Sequence, residues 1–266
     1  MADRLTFTIL GCGSSGGVPR VGGLWGECDP ANPRNTRLRC SMLVTRQGAA
    51  GTTRVLIDAG PDMRAQLLAA GVAALDGVVF THAHADHVHG IDDLRQVVFL
   101  TRERLNVWAD GPTQEALLSR FAYVFVQPPG SGYPPILTLN SIDGAFSVAG
   151  AGGPIPFVPF RVNHGAIDAL GFRIFDLAYL PDVAEMNDDA WPVLEGLDCW
   201  VVDALRRTPH PTHAHLAKTL GWIERAAPRR AVITNMHIDL DHDDVMRETP
   251  DNVVPAHDGM TITYEI

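Results

Sequence analysis

Thr81-His82-Ala83-His84-Ala85-Asp86-His87 follows the apolar run Val78-Val79-Phe80 and sets three imidazoles and a carboxylate within six residues. A neutral imidazole nitrogen holds a transition metal at about 2.0–2.1 Å and a carboxylate oxygen at about 2.0–2.2 Å, so ligands this close crowd one ion or diverge towards two. If the chain bends after the strand, His82 and His84 face one ion while Asp86 and His87, past the bend, face a second. A histidine-rich surface loop is the competing reading, but structural histidines usually occur singly, and four candidate ligands directly after an apolar strand favour a metal loop.

Around that loop the composition sets bounds. The chain has 266 residues, 46% of them hydrophobic, enough for one large core, and a single domain over residues 1–266 is expected. Thirty-one acidic residues against 21 basic ones give a net charge of −10, which does not offer a broad grip on a nucleic-acid backbone. Cys12, Cys28, Cys40 and Cys199 are widely spaced with no CxxC pair, a pattern of reduced thiols rather than of a disulfide framework. Met1 to Leu5 lacks the charged-then-apolar pattern of a signal segment. No apolar run approaches the roughly 18–20 residues of a membrane span, so a cytoplasmic protein without a membrane partner is expected.

Leu5 to Leu10 alternates apolar and polar residues, as a half-buried strand does, and enters the glycine-rich loop Gly11 to Gly17. That loop is permissive enough for an anion, but no Gly-Lys-Ser/Thr signature follows. Strands are expected at 41–45, 54–58, 76–80, 105–109, 136–139, 145–148, 155–162, 172–178, 199–203, 231–234 and 260–265. Helices are expected at 61–70, 88–100, 112–125, 188–194, 212–227 and 242–247. Gln127 to Pro135 holds four prolines and two glycines, too many for regular structure, and reads as a connector or a lid. Asp58, at the end of Ile57-Asp58-Ala59-Gly60, is either a helix cap or an acceptor fixing a ligand imidazole. His164, Asp182 and His237 also fall at or just past strand ends. The alternation of strands and helices in each half predicts a layered α/β (α+β) architecture.

The Thr81–His87 motif, followed by isolated His, Asp and His at strand ends, resembles the metallo-β-lactamase fold. The resemblance implies a four-layer αββα sandwich, two mixed sheets face to face with helices outside, holding two divalent metal ions, zinc or manganese. Matched motif to motif, it implies His82, His84 and His164 on one metal, Asp86, His87 and His237 on the other, Asp182 bridging, and Asp58 behind the ligands. The opening run Leu10-Gly11-Cys12-Gly13-Ser14-Ser15-Gly16-Gly17-Val18-Pro19 and the closing Asp258-Gly259-Met260-Thr261-Ile262 look like the branch of phosphoribosyl cyclic phosphate phosphodiesterases and, more distantly, ribonuclease Z. Two departures stand out. That branch has a structural zinc on three cysteines and a histidine, whereas only Cys28 lies in the matching region, so no structural zinc is expected. Asn235 follows Thr234 where the branch has the last ligand histidine, so His237 must reach the metal from two residues further on.

Two divalent ions sharing an aspartate lower the pKa of a shared water to about 7 and neutralise a phosphate. A proton donor for the leaving alkoxide is then required. His210, His213 and His215 are candidates, and His213 matches by position the catalytic histidine of the branch. The sequence therefore predicts a dinuclear phosphodiesterase acting on a small phosphoribosyl or nucleotide-like ester, with a homodimer as the assembly it allows. A ribonuclease Z-like tRNA 3′ endonuclease and a non-hydrolytic metal-binding or cofactor-biosynthesis protein are the alternatives.

Overall fold

Residues 3–266 are described by the computed structural model. In chain order the strands are β1 (Arg4–Gly11), β2 (Ser41–Gly48), β3 (Gly51–Ile57), β4 (Gly77–Val79), β5 (Leu105–Ala109), β6 (Leu137–Ser141), β7 (Phe146–Val148), β8 (Ile155–His164), β9 (Ile167–Ile174), β10 (Leu177–Leu180), β11 (Glu185–Met186), β12 (Cys199–Asp203), β13 (Arg230–Thr234), β14 (Val253–Pro255) and β15 (Thr261–Glu265). The helices are α1 (Met63–Ala69), α2 (Ala85–Val88), α3 (Leu94–Thr101), α4 (Gly111–Phe125), α5 (Leu216–Ala226) and α6 (His242–Glu248). By contacts the chain divides into two units interleaved in sequence. The first comprises Met1–Leu10, Ser41–Pro156 and Thr261–Ile266, the second Gly11–Cys40 and Phe157–Met260.

In the first unit the strands lie in the order β15-β1-β2-β3-β4-β5-β6. The β15/β1 and β2/β3 pairs are antiparallel, whereas β3, β4, β5 and β6 run parallel. Parallel strands buried on both faces should read as apolar runs, and β4 with its flanks does: Val78, Val79 and Phe80 have no exposed surface. Leu67 of α1, Leu94 and Val97 of α3 and Leu117 and Val124 of α4 share one core with Val78, Phe80 and Val107. Asp110 caps α4 by accepting the Thr113 N–H at 3.1 Å, and Pro112 follows it, the residue types a helix start favours.

The second unit carries β11-β8-β9-β10-β12-β13-β14. Its first four strands pair antiparallel, while β10, β12, β13 and β14 are parallel. The excursion Val21 to Asn35 is fastened to the turn before α6 by the buried Arg37. Its guanidinium donates to Asn35 Oδ1 at 3.1 Å, to the Leu240 carbonyl at 2.7 Å and to the His237 carbonyl at 3.3 Å, and it lies 3.8 Å from Cys28 Sγ. Asn35 and the Asp241 carboxylate close the same knot at 2.6 Å.

Each sheet thus has a parallel half, and loops leaving the carboxyl ends of parallel strands are where α/β folds place ligands. Asp58 follows β3 and the histidine loop follows β4; Asp182 follows β10, Asp203 ends β12 and Asn235 follows β13.

Several elements differ from the sequence reading. The segment 172–178, expected as one strand, spans the turn of a hairpin, where Phe175 takes φ 53° between β9 and β10. The helix expected over 88–100 begins earlier, at Ala85, and breaks at Gly90 before resuming as a 3-10 turn and α3. The helix expected over 212–227 starts only at Leu216, because Ala214 N–H is drawn to the Val183 carbonyl at 2.6 Å and His215 bridges to Arg206. Residues 188–194 form a 3-10 rather than an α-helix. No helix among the described residues is long and apolar enough to cross a membrane.

Candidate metal centre

In the first unit, the chain after β4 turns so that Thr81, His82 and His87 are buried while His84 is exposed. Asp58, fully buried and at φ 64°, organises this loop. Its Oδ1 accepts the Thr81 N–H at 2.8 Å, and its Oδ2 accepts the Thr81 hydroxyl at 2.8 Å and lies 2.7 Å from His87 Nδ1. It is not a helix cap, since α1 begins five residues later behind Asp62. The Thr81 hydroxyl also lies 3.0 Å from His82 Nδ1. Because that hydroxyl spends its proton on Asp58, it accepts from His82, which leaves His82 Nε2 unprotonated.

His82 Nε2 and His84 Nδ1 are 3.0 Å apart. Two ligands bonded to one ion at about 2.05 Å stand about 2.9 Å apart at a right angle and about 3.3 Å at the tetrahedral angle. The pair therefore fits a shared cation. Asp86 Oδ2 and His87 Nε2, 3.5 Å apart, form a second such pair. The two pairs diverge because Asp86 and His87 sit in the first turn of α2 whereas His82 and His84 precede it.

This arrangement depends on glycine. A Cβ on Gly60 would lie 2.0 Å from the Asp86 carbonyl oxygen, and one on Gly90 2.0 Å from the Gly60 carbonyl oxygen. The two loops interlock through Ala59 N–H to the His87 carbonyl and Gly90 N–H to the Ala59 carbonyl, each at 2.8 Å. Arg120 of α4 donates to the Ala83 carbonyl at 2.5 Å.

In the second unit, His164 ends β8 with Nδ1 2.7 Å from the Thr212 carbonyl, an acceptor only, so Nδ1 is the protonated nitrogen and Nε2 the available ligand. That Nε2 faces Asp182 Oδ2 at 3.6 Å. Gly165, at φ 78°, lets the chain turn here; a Cβ on it would meet Thr212 at 2.5 Å. Asp182 Oδ1 accepts from Asn235 Nδ2 at 2.9 Å, and the same amide nitrogen donates to Asp203 Oδ1 at 3.1 Å. Asp203 Oδ2 lies 3.0 Å from His213 Nδ1 and accepts the Val183 N–H at 3.1 Å. Burial pushes the Asp203 carboxyl up to about 6 against the opposing pull of His213. Ligand atoms of Asp182, Asp203 and His213 all lie within 4.8 Å of one another.

His237 is not in that group. Its Nδ1 is 3.0 Å from Asp239 Oδ1, and the side chain beside Asp182 is Asn235. His210 Nδ1 accepts the Thr212 N–H at 3.3 Å, and burial lowers its pKa. Asp203 escaped the sequence reading, and Asn235 entered it only as a departure from a ligand histidine, not as a donor to two carboxylates. Asp203 was hidden at the end of an apolar strand, although the signal was the one already used for Asp58 and Asp182: a carboxylate closing a buried run.

Comparison with known proteins places these elements in a lineage. The beta-lactamase superfamily domain matches residues 53–238. An octanoyltransferase of Porphyromonas gingivalis is 31% identical over 257 residues, covering 95% of this chain and 50% of that protein, so the chain spans about half the length of this curated relative. A crystal structure described as a new diphosphatase from the PhnP family is 33% identical with a TM-score of 0.87, covering 100% of this chain and 99% of that one. The metallo-beta-lactamase fold protein YhfI from Bacillus subtilis superposes with a TM-score of 0.73 at 17% identity, covering 98% and 100% of the two chains, a likeness of fold alone. The interlocked histidine loop, the two part-parallel sheets and the matched domain converge: the chain belongs to the beta-lactamase superfamily and has the metallo-β-lactamase fold.

Proposed function

We propose that this chain is a metal-dependent hydrolase of phosphodiesters, acting on a small phosphoribosyl or nucleotide-like ester, with both units working as one domain. One observation carries the reading: His82 Nε2 lies 3.0 Å from His84 Nδ1 and His87 Nε2 lies 3.5 Å from Asp86 Oδ2, while Thr81 and Asp58 hold the Nδ1 side of the His82 and His87 rings. Ligand atoms at these spacings are what a shared ion spans, and outer-sphere partners of this kind fix the ring and the tautomer of metal ligands. In this proposal His82, His84 and His164 hold one divalent ion, zinc or manganese, and Asp86, His87 and His237 a second, with Asp182 shared. Such ions supply charge neutralisation for a phosphate and lower the pKa of water.

The chain's own groups then manage the proton. Asp203 accepts from Nδ1–H of the half-buried His213, which directs Nε2–H outward as the donor to a leaving oxygen. The likeness to a PhnP-family diphosphatase favours a phosphorus ester over a lactam, and the net charge of −10 disfavours tRNA.

The deciding experiment is turnover by purified, metal-quantified protein. Bis(p-nitrophenyl) phosphate and a cyclic ribose phosphate should be hydrolysed and β-lactams left intact. His213→Ala should retain its metal yet lose about 10²- to 10⁴-fold in kcat, with the larger loss on the ribose ester, whose alkoxide needs the proton most. Full metal loading without turnover of any phosphodiester would overturn the assignment.

A further inference from the structure

The buried side chain at residue 235 is the least expected group in the second unit. Asn235 is 2% exposed and takes φ 61°, a left-handed conformation tolerated by Asn and Asp better than by other side chains. Its single amide nitrogen lies between two buried carboxylates, 2.9 Å from Asp182 Oδ1 and 3.1 Å from Asp203 Oδ1, and 3.2 Å from His213 Nδ1. An amide nitrogen has two hydrogens, and the two carboxylates take them. His213 Nδ1–H is therefore committed to Asp203 Oδ2.

Without that amide, two carboxylates and an imidazole whose ligand atoms lie within 4.8 Å of one another form a donor set for a cation. An ion captured there would take His213 as a ligand and Asp182 Oδ1 as an anchor. We propose that Asn235 is a positioning residue that keeps a cation out of the Asp182–Asp203–His213 cluster. By filling the cluster with two N–H donors, it ties each carboxylate by one oxygen. Asp182 Oδ2 is left to His164 and the metal, and Asp203 Oδ2 to His213 and the Val183 N–H. The inference rests on the proposed roles of Asp182 as ligand and His213 as proton donor.

Asn235→Asp is the test, because it keeps the size and the left-handed backbone while replacing the donor by an acceptor. After saturation with zinc and exhaustive dialysis, elemental analysis of Asn235→Asp should find one more equivalent of zinc than in the unmodified protein. The double variant Asn235→Asp/His213→Ala should lose that extra equivalent. Asn235→Gly, which relaxes the backbone, removes the donor without adding a charge and should show the same gain with weaker retention. If Asn235→Asp fails to fold, the comparison is made on Asn235→Gly. Metal content equal to the unmodified protein in the folded variants overturns the proposal, as does an extra ion that survives His213→Ala. The readout is a difference in zinc, so it is separate from the functional reading: absence of phosphodiester turnover by the unmodified protein would sink that reading without touching this comparison.

Discussion

A carboxylate that must stay buried behaves differently according to what surrounds it, and Asp258 shows this within the second unit. Its Oδ2 accepts the Leu38 N–H at 2.7 Å, and its Oδ1 accepts the Cys12 N–H at 3.0 Å and faces Cys12 Sγ at 3.4 Å. Those donors favour the charged form, yet desolvation outweighs them and raises the carboxyl from 3.8 to about 6. The folded protein thus holds this proton more tightly than the unfolded chain does. The resulting contribution to stability, about 3 kcal/mol at most, is fully present below pH 3.8 and lost as pH rises through about 6. Carbon-13 NMR of the side-chain carboxyl should give a midpoint near 6; a midpoint near 4 would show that the two backbone donors prevail over burial.

At the scale of elements, α2 is only four residues long, too short to be stable by itself, and it exists because two glycines let neighbouring backbone lie against it. Gly60→Ala should therefore displace α2 and with it Asp86 and His87. Expected are a stability loss of about 1–3 kcal/mol or more, the range for overpacking, and a fall in metal content measured on the folded protein. Unchanged metal content and urea midpoint would show that the loop absorbs a methyl group. The same contact explains what the sequence could and could not reveal. Most strands and their apolar runs were legible because burial imposes a pattern on each segment alone, whereas the short β11 and β14 were not expected. The break at Gly90, the late start of α5 after His215 and the turn at Phe175 were not, since each is set by backbone partners remote in sequence or by a single left-handed residue. In the candidate site, the residues of the Thr81–His87 loop announce themselves by chemistry. The Asn235 amide does not, because its meaning depends on two carboxylates 53 and 32 residues away.

For the whole chain, cysteine usage gives a direct check. Cys12, Cys28, Cys40 and Cys199 are buried and in no disulfide. Burial raises the thiol pKa of Cys12, Cys28 and Cys199, the last to about 12, so few thiolates form at neutral pH. An aromatic disulfide reagent at pH 8 should label the folded protein slowly and release four equivalents only after denaturation; rapid labelling of the native state would reveal an opening near one of these thiols.

The antiparallel pairing of β1 with β15 sets Arg4 beside Glu265, and Ile266 N–H donates to the Asp3 carbonyl at 2.8 Å. Asp3 and Ile266 consequently lie at the same end of the β1/β15 pair in the first unit. A short linker can therefore join Asp3 to Ile266 so that the chain is re-opened elsewhere, with the irregular segment Gln127 to Pro135 as the natural new opening.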